Sequence, residues 1–213
     1  MSGFVLVTGY SYYGKYWFNP SGEVARLLDG ARFGDYVVKS VVMPVSLKAV
    51  KSTLPRLLRE LEPSLAIGLG LSPGYREVVV ELAAANYAYF DTDVDGYKAE
   101  LEPVDPEGPP IVYTTLPLKE IIRKCRGERL LPIRPGLGTG LYMCNVAAYM
   151  LMRYGLERGV PAGFVHVPPS TENYLRGEAP SGLPLSEILE SIKCIIEEAL
   201  RAALLGQDKP SAR

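Results

Sequence analysis

Apolar residues in this chain cluster in two ways, as short unbroken runs and as longer runs with helical spacing. Residues 4–8 (Phe-Val-Leu-Val-Thr), closed by Gly9, form a β-rich apolar run with no polar alternation, the pattern of a strand buried on both faces. Residues 36–45, 65–71, 77–85 and 160–167 read as further strands. Helical spacing appears over 46–61, 116–126, 141–154 and 185–205. In the last of these, apolar residues at 185, 188, 189, 192, 195, 196, 199 and 200 keep to one stripe. A further helix opens at Asn19-Pro20-Ser21, with Asn19 as N-cap, Pro20 in the first turn and Glu23 placed to favour the dipole. Pro55 should kink or break the helix over 46–61, because it removes a backbone donor.

Strands alternate with helices from end to end, which predicts helices on both faces of a sheet. The expected fold is α/β, a three-layer α/β/α sandwich with a twisted, mostly parallel mixed sheet. Residues 87–116, rich in acids, prolines and glycines, read as an excursion over the surface. With no internal repeat and no linker, residues 1–213 are expected to form one domain, with 206–213 a polar tail.

Charge and composition narrow the function. A formal charge of −1 gives no basic footprint for nucleic acid. No basic leader precedes the first apolar run, and no run reaches the ~18 apolar residues that cross a bilayer, so neither secretion nor a membrane is expected. The three cysteines, at 125, 144 and 194, form no CxxC pair, and their odd number argues against a disulfide framework and for a reducing compartment. One histidine and three scattered thiols also make a poor metal site.

Three residues carry candidate chemistry. His166 is the only histidine and sits where an apolar strand gives way to a loop; it is either a packed strand-end residue or the group that moves protons near neutral pH. Cys144 follows a glycine-rich turn and falls in the first turn of an apolar helix. Free N–H groups and the dipole there favour a thiolate, although a cysteine in such a helix can equally be a small hydrophobe. Glu81 lies within an apolar run, where a buried carboxylate without a partner costs several kcal/mol. It therefore faces solvent or has a partner, and a histidine is one such partner. Cys125, between Lys124 and Arg126, reads as an exposed helix end, and Cys194 as packing or a subunit contact.

These stretches together resemble the pyroglutamyl peptidase I family of cysteine peptidases. Gly140-x-Tyr142-x-Cys144-Asn145 is similar to its nucleophile motif and 163–168 (Gly-Phe-Val-His-Val-Pro) to its histidine motif. Pro73-Gly74 followed by Glu81 and Asn86 matches the spacing around its glutamate. The opening loop from Thr8 to Gly14, with Asn19-Pro20-Ser21, and Met43-Pro44-Val45-Ser46 are also similar. The resemblance implies removal of an N-terminal 5-oxoprolyl residue from a blocked peptide, with Cys144 as nucleophile, His166 as acid–base and Glu81 as its orienting partner. It further implies a substrate pocket of Tyr10, Tyr13, Leu71, Tyr142 and Met143, no cofactor, a homotetramer and a cytoplasmic setting.

The sequence departs from the family pattern around recognition. Tyr10 and Tyr13 stand where phenylalanine is usual, Tyr12 where proline is and Lys15 where glycine is. Asp91 replaces an arginine of the family's site, and residues 169–173 match only loosely. These departures leave two alternatives: an amidase with a different acyl specificity, or a catalytically impaired binding or assembly protein on the same fold.

Overall fold

The computed structural model describes residues 3–207. Its strands are β1 (Gly3–Tyr10), β2 (Arg32–Phe33), β3 (Tyr36–Met43), β4 (Leu65–Leu71), β5 (Val78–Glu81), β6 (Ala83–Ala85), β7 (Tyr87–Phe90), β8 (Ala99–Pro103), β9 (Ile111–Tyr113), β10 (Ile133–Gly136) and β11 (Ala162–Val167). Its helices are α1 (Pro20–Leu28), α2 (Leu47–Leu61), α3 (Leu118–Ile121), α4 (Met143–Arg158), α5 (Thr171–Leu175) and α6 (Leu185–Gln207). Seven strands form the main sheet in the order β10-β5-β11-β4-β1-β3-β2. β1 pairs in parallel with β3 and β4, β4 with β11, and β5 with β10, while the β5–β11 and β2–β3 pairs are antiparallel.

The alternation of side chains along the strands divides the core. Val5, Val7, Leu65, Ile67, Val165 and Val167 pack with α1 and α6 on one face, while Leu6, Ala66 and Phe164 pack with α2 and α4 on the other. A central strand covered on both sides has no solvent face, which explains why β1 and β4 read as unbroken apolar runs. The fold is the expected α/β architecture, with a mixed, mostly parallel sheet between helical layers.

Several elements differ from the sequence expectation. α2 continues through Pro55. Pro55 and Lys51, four residues before it, are both partly exposed, so the lost bond falls where water can replace it. The strand expected over 77–85 divides: β5 stays in the main sheet, while β6 pairs with β9 in a separate two-stranded sheet. The 87–116 excursion contains β9 and the antiparallel β7–β8 pair. The helix expected over 116–126 is one α-helical turn, α3, followed by a π-helical segment, Ile122–Glu128. β10, an edge strand, went unread because Arg134-Pro135-Gly136 lacks a strand signature, and a proline is tolerated only at such an edge.

The cysteine reading requires correction. Cys125 and Cys194 form a disulfide, with S–S 2.06 Å and Cα atoms 6.0 Å apart, and both are fully buried. Cys125 is therefore no exposed helix end, and of its two readings Cys194 takes the packing one. An odd count excludes only the complete pairing of all thiols; one bond across 69 residues of sequence leaves no local spacing signal. Of the tail expected over 206–213, residues 208–213 lie outside the described residues, and α6 is continuous through Gln207. No helix among the described residues is long and apolar enough to cross a membrane.

Candidate active site

Strand register brings two of the predicted residues together. His166 pairs across β11–β5 with Val79, and Glu81 lies two residues farther along β5, so both side chains project from the same sheet face. Phe164, two residues before His166, packs in the α2/α4 core, which identifies that face as the one carrying α4. The imidazole Nδ1 lies 2.8 Å from Glu81 Oε1. Glu81 is fully buried and His166 nearly so. The carboxylate is thus the partnered one of the two possibilities that the sequence left open.

Cys144 reaches the same imidazole from the start of α4. The helix begins at Met143 with Tyr142 as an extended N-cap residue, which places Cys144 second in the helix. It lies close enough to His166 to help raise the imidazole's pKa. It is the free cysteine, half-buried, and it sits beside N–H groups that the first turn leaves without helical partners. Asn145, the next residue, is fully buried and fixes the helix start: it accepts from Ala85 N and Thr139 Oγ1, both at 2.9 Å, and donates to the carbonyls of Ala85 and Tyr87, both at 2.8 Å.

Two glycines make room for this arrangement. Gly70 lies in register with His166 on the adjacent strand β4, and a Cβ there would lie 2.6 Å from Cys144 Sγ and 2.9 Å from the Phe164 ring. Gly136 lies in register with Glu81, and a side chain there would collide with the carboxylate. The sequence reading missed both; Gly70, inside an apolar strand run, carries a signal of close approach, whereas Gly136 follows Arg134-Pro135 and carries none.

The electrostatics favour a charged imidazole. Burial lowers the His166 pKa, but hydrogen bonds and charge interactions with Cys144 and Glu81 outweigh it and raise the pKa from 6.5 to about 9. At neutral pH the ring is therefore charged beside the Glu81 carboxylate. The Phe164 and Tyr75 rings meet it edge-on, with centroids at 5.2 Å and 5.7 Å, and the Tyr75 hydroxyl also donates to Glu81 Oε1 at 3.4 Å. Glu81 Oε2 has no hydrogen-bond partner among the described residues.

The five predicted pocket residues, Tyr10, Tyr13, Leu71, Tyr142 and Met143, all line one cavity of about 230 Å³ beside Cys144. Tyr16, Asn19, Val45 and Pro73 complete its wall. It opens where β1 and β4 end, the position at which parallel α/β sheets commonly bind ligands. A larger cavity of about 440 Å³ between α2 and α4 contains none of the predicted catalytic residues. The added phenol groups are internally bonded: Tyr10 donates to the Met143 carbonyl at 3.0 Å, and Tyr13 donates to the Thr92 carbonyl at 3.2 Å. Burial, then the neighbouring Cys144 and Tyr142, holds the Tyr10 hydroxyl protonated well above its usual pKa. Asp91, where the resemblance implies an arginine, is exposed.

Comparison with known proteins gives a consistent answer. The chain is 35% identical to a pyrrolidone-carboxylate peptidase of Pyrococcus furiosus over 207 residues, covering 94% of this chain and 99% of that protein. A pyrrolidone-carboxylate peptidase of Halalkalibacterium halodurans is 29% identical, with 93% and 100% covered. The crystal structure of pyrrolidone carboxyl peptidase from Pyrococcus furiosus superposes with a TM-score of 0.87 at 34% identity, covering 94% of this chain and 99% of that one. The model of the family described as pyroglutamyl peptidase matches residues 4–202, almost the whole of the described chain, so the chain belongs to the pyroglutamyl peptidase family.

Proposed function

We propose that this protein is a cysteine-type omega peptidase that removes an N-terminal pyroglutamyl (5-oxoprolyl) residue from peptides, with Cys144 as nucleophile, His166 as acid–base and Glu81 as the residue orienting the imidazole. The observation that carries this reading is the single imidazole hydrogen-bonded to Glu81, with Cys144 near enough to help raise its pKa. In the first half-reaction His166 holds the proton of Cys144, and the sulfur adds to the carbonyl carbon of the 5-oxoprolyl residue. The oxyanion that forms faces backbone N–H groups at the start of α4. The C–N bond then breaks, and His166 passes its proton to the departing amine, leaving a thioester on Cys144. In the second half-reaction water attacks that thioester and gives a proton to His166. The C–S bond breaks, 5-oxoproline leaves and the sulfur regains its proton.

Tyr10, Tyr13, Leu71, Tyr142 and Met143 bind the acyl ring. A cavity of about 230 Å³ walled by aromatic and aliphatic groups suits a small, flat, uncharged lactam. A single domain, residues 1–213, carries the activity without a cofactor. A cytoplasmic setting goes with this reading, and complete burial shields the Cys125–Cys194 bond from thiol reductants there. The assembly is a homo-oligomer, a tetramer by family resemblance, with the exposed Tyr12 and Trp17 of the opening loop at a contact; light scattering gives its mass. The central test is hydrolysis of a fluorogenic 5-oxoprolyl amide. Wild type should turn it over, Cys144→Ala should not, and a wild type equally inactive on 5-oxoprolyl and prolyl amides would end the assignment.

A further inference from the structure

Tyr142 donates its hydroxyl to the Thr92 carbonyl at 3.1 Å, and Tyr13 donates to the same oxygen at 3.2 Å. The two rings lie 5.8 Å apart at 37°. Three segments thus meet at one backbone oxygen: the opening loop, the N-cap of the helix bearing Cys144, and the loop after β7. Thr92 itself is held from behind. The buried Asp93 carboxylate accepts from the backbone N–H groups of Leu47, Asp95 and Tyr97, each at 2.9 Å, and Val94 N donates to the Val45 carbonyl at 3.1 Å. Burial opposes the charge on Asp93, but these donors outweigh it and hold its carboxyl below the usual range. The presenting loop is therefore fixed to the start of α2.

We propose that the Thr92 carbonyl, gripped by the Tyr13 and Tyr142 hydroxyls, is a specificity clamp that sets the width of the acyl slot. Both rings line the cavity, yet both hydroxyls are used on the carbonyl, so each ring presents its carbon surface to the ligand. A carbonyl oxygen has two lone pairs, and two O–H donors fill them. Fixing both rings to one oxygen fixes their separation, and that separation selects ring size: a five-membered lactam fits, and one with an extra methylene does not. The clamp rests on the functional reading above, and its experiment keeps the two separable.

The test compares Tyr13→Phe, Tyr142→Phe and the double variant on the 5-oxoprolyl amide and on its six-membered lactam homologue. Losing one exposed hydrogen bond should lower the preference for the five-membered ring about three- to tenfold, expressed through KM with kcat little changed. The double variant should lose less than the product of the singles, because they share one acceptor. General damage to the fold would reduce both substrates alike and leave the ratio unmoved. A turnover-independent reading uses 2-pyrrolidone and 2-piperidone to protect Cys144, the free thiol, from iodoacetamide. If wild type hydrolyses neither amide, the peptidase reading fails, and the protection ratio still decides the clamp. An unchanged ratio in both single variants overturns the clamp.

Discussion

Glu81 and His166 stand 2.8 Å apart on adjacent buried strands, whereas Tyr13 and Thr92, 3.2 Å apart, meet between two loops at the surface. The first pair is held by sheet register, by glycines with no room for a side chain and by the Asn145 anchor at the start of α4. The second is held by hydrogen bonds that water can replace. A change of one atom in the first region has nowhere to relax, since close-packed interiors transmit strain, whereas a change in the second is absorbed by the loops. Of the departures that the family resemblance suggests, Tyr13 and Asp91 lie in such loops, whereas Tyr10, at the end of β1, is buried and bonded to the Met143 carbonyl.

The sharpest way to break this contrast is to place the same small substitution in each environment. Gly70→Ala puts a methyl 2.6 Å from the Cys144 sulfur and against the Phe164 ring, so kcat should fall roughly a hundredfold, with a lowered Tm. Gly74→Ala, four residues on, has no atom within 4 Å of the new Cβ and should leave both within about twofold and a degree or two. Equal effects would remove the claim that the β4 glycine is tuned to the nucleophile.

Glu81→Gln tests the electrostatic half of the same region. It keeps the shape and removes the charge, so kcat should drop about ten- to a hundredfold, as expected where a partner that orients a working imidazole is impaired. The alkaline limb of kcat/KM, expected near pH 9 for wild type, should move to lower pH by about a unit or more, because burial, which lowers the His166 pKa, then meets less opposition. Stability follows the same sign. The folded pKa lies above 6.5, so the contribution of the charged ring is complete below about pH 6.5 and is lost as pH rises through about 9. In Glu81→Gln that loss should shrink. A limb that stayed in place would mean that Glu81 does not set the imidazole's charge.

The Cys125–Cys194 bond lies on the far face of the sheet, with α6 and the π-helical segment, and so separates stability from chemistry. Replacing both cysteines with alanine removes a constraint on a 69-residue separation. The chain-entropy relation puts the loss at about 4 kcal/mol, read as a lower denaturant midpoint. At temperatures where the variant stays folded, kcat and KM should match wild type; a fall in kcat would show that the far face reaches the site.

How much of this was legible in the sequence depends on whether the information was local. The start of α1 follows from Asn19 and Pro20 in place, and the structure shows the Asn19 side chain accepting from Ser21 N. The position of Cys144 in a helix's first turn was equally local. Gly70 hints at a close approach and Gly136 at nothing until register places them opposite His166 and Glu81. β10 is hidden by Pro135, and the β6–β9 pair is a non-local pairing that no window along the chain displays. The Thr92 carbonyl is the extreme case, since every residue type offers a backbone oxygen and only the fold shows which one two tyrosines grip.

Asp91, where the family resemblance implies an arginine, should give the smallest effect of all. It sits one residue before the clamp, so an effect on the developing oxyanion would have to act through space from an exposed position. At about 0.15 M salt the screening length is roughly 8 Å, and an exposed carboxylate loses most of its influence beyond that distance. Asp91→Asn should therefore change kcat and KM by less than about twofold in physiological salt, with a small rise in kcat appearing only when salt is reduced about tenfold. A large, salt-insensitive rise in kcat would mean that the acid acts at short range on the reacting atoms. The recognition loops would then govern the chemistry of the buried strands as well as the choice of ring.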